Sequence, residues 1–151
     1  MKFSIESKQG HARAGSLSVN NKTINTPAFM TIGTYGSVKT MDTNDLKKCN
    51  VEIILSNAFH LMLRPGTDLI EKFGGLHQLM NWDGLILTDS GGYQVFSLGK
   101  DVKITNTGAE FRSPFNGDKV FMSPEISIDV QTKINTDIMM IFDECIKYPS
   151  D

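Results

Sequence analysis

Cysteine is scarce in this sequence, which holds only Cys49 and Cys145, far apart along the chain. Two thiols without metal spacing exclude a disulfide framework and a zinc motif built from the chain's own residues. Long apolar runs are missing as well. None approaches the roughly 20 residues a spanning helix needs, so no membrane partner is expected. No block of like charge stands out, and the formal net charge is only -2. The basic stripe that announces a nucleic-acid binder by electrostatics alone is therefore lacking. The stretch Met1 to Gly10 is polar and mixed, unlike a signal or transit peptide, so the expected compartment is the cytoplasm.

What remains is an ordinary globular composition: 151 residues, 40% hydrophobic and 21% charged, with no low-complexity segment. That length can bury one respectable core. Lys2 to Ser7 and Ser16 to Val19 alternate apolar and polar residues around Gly10 and Gly15, which predicts a short N-terminal β-hairpin. Thr26 to Ile32, Val51 to Asn57, Leu85 to Thr88 and Asp137 to Phe142 read as four buried strands. Helix signals lie between them, from Asp42 to about Asn50, in the stretch that follows Asn57, with Pro65 and Gly66 before a segment from Thr67 to Phe73, and from the start Ser123-Pro124-Glu125 to about Asn135. Val102 to Met122 reads instead as a hairpin turning at Asn116-Gly117.

Strands alternating with helices argue for α/β architecture around a parallel sheet. Strands apolar nearly throughout fit a sheet covered on both faces. A doubly wound sheet would satisfy this too, but no Gly-x-Gly-x-x-Gly turn follows any strand, so a dinucleotide site is unsupported. The expected fold is a (β/α)8 TIM barrel, which needs about 250 residues when complete. Four strands are about half of one. Residues 1–151 are thus expected to form the N-terminal portion of a single barrel domain, with the C-terminal half absent.

Two of the strands run into acids, Asp89 and Asp143. In a barrel the carboxyl ends of the strands form the catalytic face, so both would point into one pocket. Two readings stand for each acid: a cap on the following turn, or a carboxylate tuned by its surroundings for proton transfer. Asp89-Ser90-Gly91-Gly92-Tyr93-Gln94 is the most informative stretch. Paired glycines let a backbone approach a flat ligand closely. Tyr93 either stacks on a nucleobase or packs in the core beside a tight turn. His11, His60 and His77 do not cluster in sequence, and Ser90 lacks the flanks of a hydrolase nucleophile elbow.

Asp89-Ser90-Gly91-Gly92-Tyr93-Gln94 resembles the signature of the tRNA-guanine transglycosylases. So do Pro27-Ala28-Phe29-Met30, the stretch Asn57 to Gly66, and Phe142-Asp143-Glu144-Cys145. Four ordered matches cover nearly the whole chain. The resemblance implies an enzyme that exchanges guanine at the tRNA wobble position for a queuine precursor through a covalent intermediate. It implies Asp89 as the general acid/base, Asp89 to Tyr93 as the lining of the base pocket, and Asp143 as acceptor for the base edge. Ser90 and Gln94 would be pocket neighbours, while Asn57 and Ile32 would border the ribose. Cys145 resembles the bacterial members, which insert the deazaguanine preQ1, although Ile146-Lys147 departs from the common Thr-Pro. The aspartate nucleophile, the zinc site of three cysteines and one histidine, and the tRNA-gripping surface belong to the family's C-terminal part. No cofactor is therefore expected within this chain, which alone would be inactive. The family resemblance also implies a homodimer at full length. The alternative is a non-catalytic half-barrel that partners a longer homologue.

Overall fold

The computed structural model describes residues 1–146 and 148–149. Lys147, half of the Ile146-Lys147 departure noted above, lies outside them. The chain opens with three antiparallel strands, β1 (Lys2–Gln9), β2 (Ala12–Val19) and β3 (Lys22–Thr26), in the order β1-β2-β3. The expected hairpin is thus one strand short. The missed strand follows a two-residue turn in which Asn20 and Asn21 both take positive φ, 48° and 64°. Asparagine tolerates that conformation, and it is the turn that matches strand twist.

Four parallel strands form the central sheet: β4 (Thr31–Ile32), β5 (Ile53–Asn57), β6 (Leu85–Asp89) and, last in the chain, β10 (Ile138–Met139). Their order is β10-β6-β5-β4, so each strand lies beside its nearest parallel neighbour in sequence. The reversal of order that marks a doubly wound sheet does not occur among the described residues. Helices α1 (Thr43–Lys48), α2 (Ala58–Leu63), α3 (Thr67–Lys72) and α4 (Leu76–Met80) fill the connections, followed by α5 (Gly92–Ser97) and α6 (Pro124–Ile134). Of these, α4 and α5 were not foreseen. Between α5 and α6 a second antiparallel sheet is inserted, β7 (Lys103–Thr105), β8 (Gly108–Arg112) and β9 (Lys119–Met122). The turn at Asn116-Gly117 joins β8 to β9 as expected, and β7 adds a strand.

Side-chain alternation divides the core. Ile54 and Ile86 pack with Leu46, Leu61, Ile70 and Ile134 on the helix side. Ile53 and Leu85 point the other way, against Val19 and Ile24 of the N-terminal sheet. The small sheet lays Ala109, Phe111 and Met122 on Phe59 of α2 and Val95 of α5.

Two strand expectations are corrected. Thr26 to Ile32 is not one buried strand: Thr26 ends β3, only Thr31–Ile32 joins the parallel sheet, and Phe29 is 82% exposed. Pro27 has no N–H to give a ladder. Asp137 to Phe142 shortens to Ile138–Met139, with Ile141 78% exposed. The Met140 N–H is shared between Thr88 O of β6 at 3.3 Å and a side chain at 2.9 Å, as described below.

At the amino end of the parallel strands a buried aspartate ties four segments together. Asp137 Oδ2 accepts the Ile86 N–H at 2.9 Å, faces His77 Nε2 at 2.9 Å and lies 3.5 Å from Lys22 Nζ, while Oδ1 accepts from Asn20 at 3.4 Å. Burial is the largest influence on this carboxyl and raises its pKa. The Ile86 hydrogen bond, the His77 and Lys22 charges and Asn20 together outweigh it and hold the pKa below the ordinary value. Its stabilisation is complete above the usual aspartate value of about 3.9 and is lost as pH falls through the lower folded-state value. Asp137→Asn should cost about 1.5–3 kcal/mol at neutral pH, because the Ile86 N–H and the Lys22 ammonium lose a charged acceptor. Denaturant melts from pH 7 down to pH 2 check both points, with the wild-type advantage vanishing at the acid end.

Candidate active site

Parallel pairing of β5 with β6 runs without interruption from Ile53↔Leu85 to Asn57↔Asp89, so Asn57 and Asp89 end their strands side by side. Asp89 Oδ2 accepts from Asn57 Nδ2 at 2.5 Å and from Gln94 Nε2 at 3.0 Å, and Oδ1 accepts the Ala58 N–H at 2.9 Å. The strand end, the first residue of α2 and the first turn of α5 therefore converge on one half-buried carboxylate. Gln94 Oε1 is buried with no partner among the described residues. The capping reading of Asp89 is met at Ala58, and the carboxylate stays half-buried rather than enclosed.

The next residue turns the other way. Ser90, 5% exposed, donates from Oγ to Asp143 Oδ1 at 2.8 Å and accepts the Gly92 N–H at 3.2 Å. Gly91 takes φ +89°, and a Cβ there would stand 2.7 Å from Met122 Cε. A Cβ on Gly92 would overlap the carbonyl and carboxylate oxygens of Asp143. The paired glycines are required for two different reasons, a left-handed turn and a close approach.

Asp143 itself is exposed, and Cys145 places its thiol 3.7 Å from Asp143 Oδ2. Desolvation, and then the charge and hydrogen bond of Asp143, raise the thiol's pKa. Cys145 is consequently kept as a thiol rather than a nucleophilic thiolate. Beside Asp143 opens a cavity of about 190 Å³, walled by Gly92, Val95, Phe96, Ile104 and Phe142. Asp89 does not line it. Tyr93 is 66% exposed on α5, its ring centroid 6.5 Å from that of Phe96, so it is not a core residue.

The structure therefore groups the expected residues in two sets, Asn57, Asp89 and Gln94 in one and Ser90, Gly92 and Asp143 in the other. The chain step from Asp89 to Ser90 joins them. Ile32 lies on β4 opposite Leu55, two pairs short of the Asn57 level on β5. Sequence reasoning passed over the Tyr35–His60 pair, whose rings are 5.2 Å apart, and two buried polar residues of α6, Ser127 and Gln131. The signal for the last two was a polar pair at helical spacing among core positions. Among the described residues no three His, Cys, Asp or Glu side chains come together to share a metal ion.

Comparison with known proteins bears on the whole chain. A family model described as Queuine tRNA-ribosyltransferase matches residues 7–151. A queuine tRNA-ribosyltransferase of Herminiimonas arsenicoxydans is 56% identical over 151 residues, 100% of this chain and 40% of that protein. One from Hydrogenovibrio crunogenus is 57% identical over 150 residues, 99% of this chain and 40% of its own length. A third, from Francisella tularensis subsp. novicida, is 56% identical and is covered over 41% of its length. The chain thus spans about 40% of the length of the curated relatives it matches. On this match and these identities, the chain belongs to the queuine tRNA-ribosyltransferase family.

Proposed function

We propose that this chain carries the base-binding half of a tRNA-guanine transglycosylase site, which exchanges guanine in tRNA for a queuine precursor of the preQ1 type without cutting the strand. The observation that carries the reading is the carboxylate of Asp89, held by three donors at the level where β5 and β6 end. A carboxylate has about four acceptor positions. With three filled, it is oriented and keeps room for one more N–H, as suits a group that passes a proton to a departing base.

Asp143 takes the recognition role. Guanine presents N1–H and its exocyclic amine side by side, and a carboxylate offers two acceptor oxygens in a matching plane. One of the Asp143 oxygens is steadied by Ser90, which aims the pair. Exposed Tyr93 stands ready to stack on the heterocycle, an interaction of about 1–3 kcal/mol per base. Asn57 and Ile32 border the sugar. The target base must leave its stack to be reached.

Two-step exchange needs a second carboxylate, which attacks the ribose carbon and holds the tRNA until the incoming base arrives, the logic of a retaining glycosidase. We place that nucleophile, the tRNA-gripping surface and the completing strands of a (β/α)8 barrel in the part of the relatives' length that this chain does not span. Exchange by these residues alone is not expected. The sequential order of the parallel strands supports the barrel. The described residues do not supply a zinc site, since they bring no three suitable ligands together; zinc would need ligands elsewhere, and no step here runs through it. A homodimer working in the cytoplasm completes the reading, and no described helix is long and apolar enough to cross a membrane.

Two outcomes test it in a protein of the relatives' length bearing these residues. Asp89→Ala should lower incorporation of labelled guanine into tRNA by about 10²–10⁴-fold, the usual worth of a general acid/base. Exchange at the wild-type rate would defeat the assignment. Gly92→Ala should crowd Asp143 and cost about 1–3 kcal/mol of stability, the range for overpacking, with KM for guanine raised about tenfold in steady-state kinetics.

A further inference from the structure

Helix α6 buries two polar side chains where an amphipathic helix would bury apolar ones. Ser127 and Gln131 are both 0% exposed. Four residues apart, they share one face of the helix, and Val130 and Ile134 beside them enter the main core. Leucine or alanine would fill that space without needing partners. Burying an amide is tolerated only where its hydrogen bonds are met, so what these two groups hold is informative.

Ser127 Oγ donates to the carbonyl of Ser90 at 2.7 Å. Gln131 Nε2 donates to the Met140 carbonyl at 2.9 Å, and Gln131 Oε1 accepts the Met140 N–H at 2.9 Å. The side-chain amide thus grips one residue's backbone at both polar groups, sharing the N–H with Thr88 O, which lies farther off at 3.3 Å. The remaining capacity is filled as well: Nε2 meets Ser127 O and Oγ at 3.2 Å, and Oε1 accepts from Thr88 Oγ1 at 2.9 Å. Thr88 Oγ1 in turn meets Thr136 Oγ1 at 3.0 Å. The network is complete at Gln131, the condition under which buried polar groups rigidify a structure.

The two gripped residues are the roots of one contact. Ser90 carries the hydroxyl, and Met140 starts the irregular stretch that delivers Asp143, the acceptor of that hydroxyl. Between them Ile141 is 78% exposed and contributes little restraint, while Phe142 packs against the cluster of Phe59 and Val95. We propose that Ser127 and Gln131 are positioning residues, which hold Ser90 and the Asp143 segment to one rigid helix and so set how sharply the site reads the donor edge of a purine. The proposal rests on Asp143 being that reader. A reading group must be held within about half an ångström by a supporting shell, and α6 supplies it from behind the sheet.

The test uses a protein of the relatives' length bearing these residues, with guanine and hypoxanthine as probes in equilibrium dialysis. Hypoxanthine keeps N1–H and lacks the exocyclic amine, so the wild type should prefer guanine. In Gln131→Leu the guanine affinity should fall about tenfold, or 1.4 kcal/mol, while hypoxanthine changes less than about threefold on the same scale. Equal losses for both bases would mean a merely structural role and would overturn the proposal, as would no loss at all. Ser127→Ala, a milder change, should erode the preference in the same direction; a fully retained preference counts against the brace. Amide hydrogen exchange gives an independent arm. Exchange at Met140 should quicken at least tenfold in Gln131→Leu, with Ile54 and Ile86 unchanged. If the wild type does not distinguish the bases, it is the reading of Asp143 that fails, and the exchange rate at Met140 then decides the brace by itself.

Discussion

Parallel pairing between β5 and β6 sets the level of everything at the carboxyl end of the sheet. Five consecutive pairs bring Asn57 and Asp89 to the same height, each on the face opposite Ile54 and Ile86. Because side chains alternate with a period of two, a slip of one residue would send Asp89 into the helix layer and Thr88 into the open. Apolar burial specifies the register: Ile54 and Ile86 must face the helices, and Ile53 and Leu85 must face Val19 and Ile24. The position of the chemical groups is thus a consequence of core packing several residues away.

The two ends of the sheet treat charge differently. At the amino end Asp137 is enclosed, its carboxylate spent on a backbone amide, a histidine, a lysine and an asparagine. At the carboxyl end Asp89 is half-buried and Asp143 exposed. In barrels the amino-end face stabilises and the carboxyl-end face reacts. The same residue type is enclosed before β10 and open beyond it, and the difference lies in how many of its acceptor positions the protein itself occupies.

Much of this was legible in sequence, and the misses have physical causes. Long apolar strands such as Leu85 to Thr88 and the capped start Ser123-Pro124-Glu125 carry strong local signals and appear where they were expected. The Asp89 to Gln94 stretch identified itself through its glycines, because left-handed turns and close approaches admit few other residues. The third N-terminal strand was missed because Asn20-Asn21 is a weaker turn signal than Asn-Gly. The overlong reading of Asp137 to Phe142 failed for a reason no local pattern contains. Met140 still donates to Thr88 O at 3.3 Å, but Gln131, nine residues earlier, meets the same N–H and the C=O at 2.9 Å. Likewise, the division of the site into an Asp89 set and an Asp143 set depends on side-chain partners across the fold, which spacing along the chain does not encode.

On the function proposed above, that division bears on the chemistry of exchange. A group that moves a proton must stay at one point while the base leaves and another enters, and Asp89 has three donors fixing it from three segments. A group that reads the base must instead keep its acceptor positions free for the ligand. Asp143 accordingly gives one oxygen to Ser90 and turns the other only toward a thiol, a weak donor. Holding Asp143 by its own carboxylate would consume the capacity it needs. Its segment is held by the backbone of Met140 instead, so the restraint is moved away from the reading group without being weakened. On the proposed reading, Gln131 and Ser127 anchor that restraint, and the polar face of α6 leaves most of the Asp143 acceptor capacity for a base.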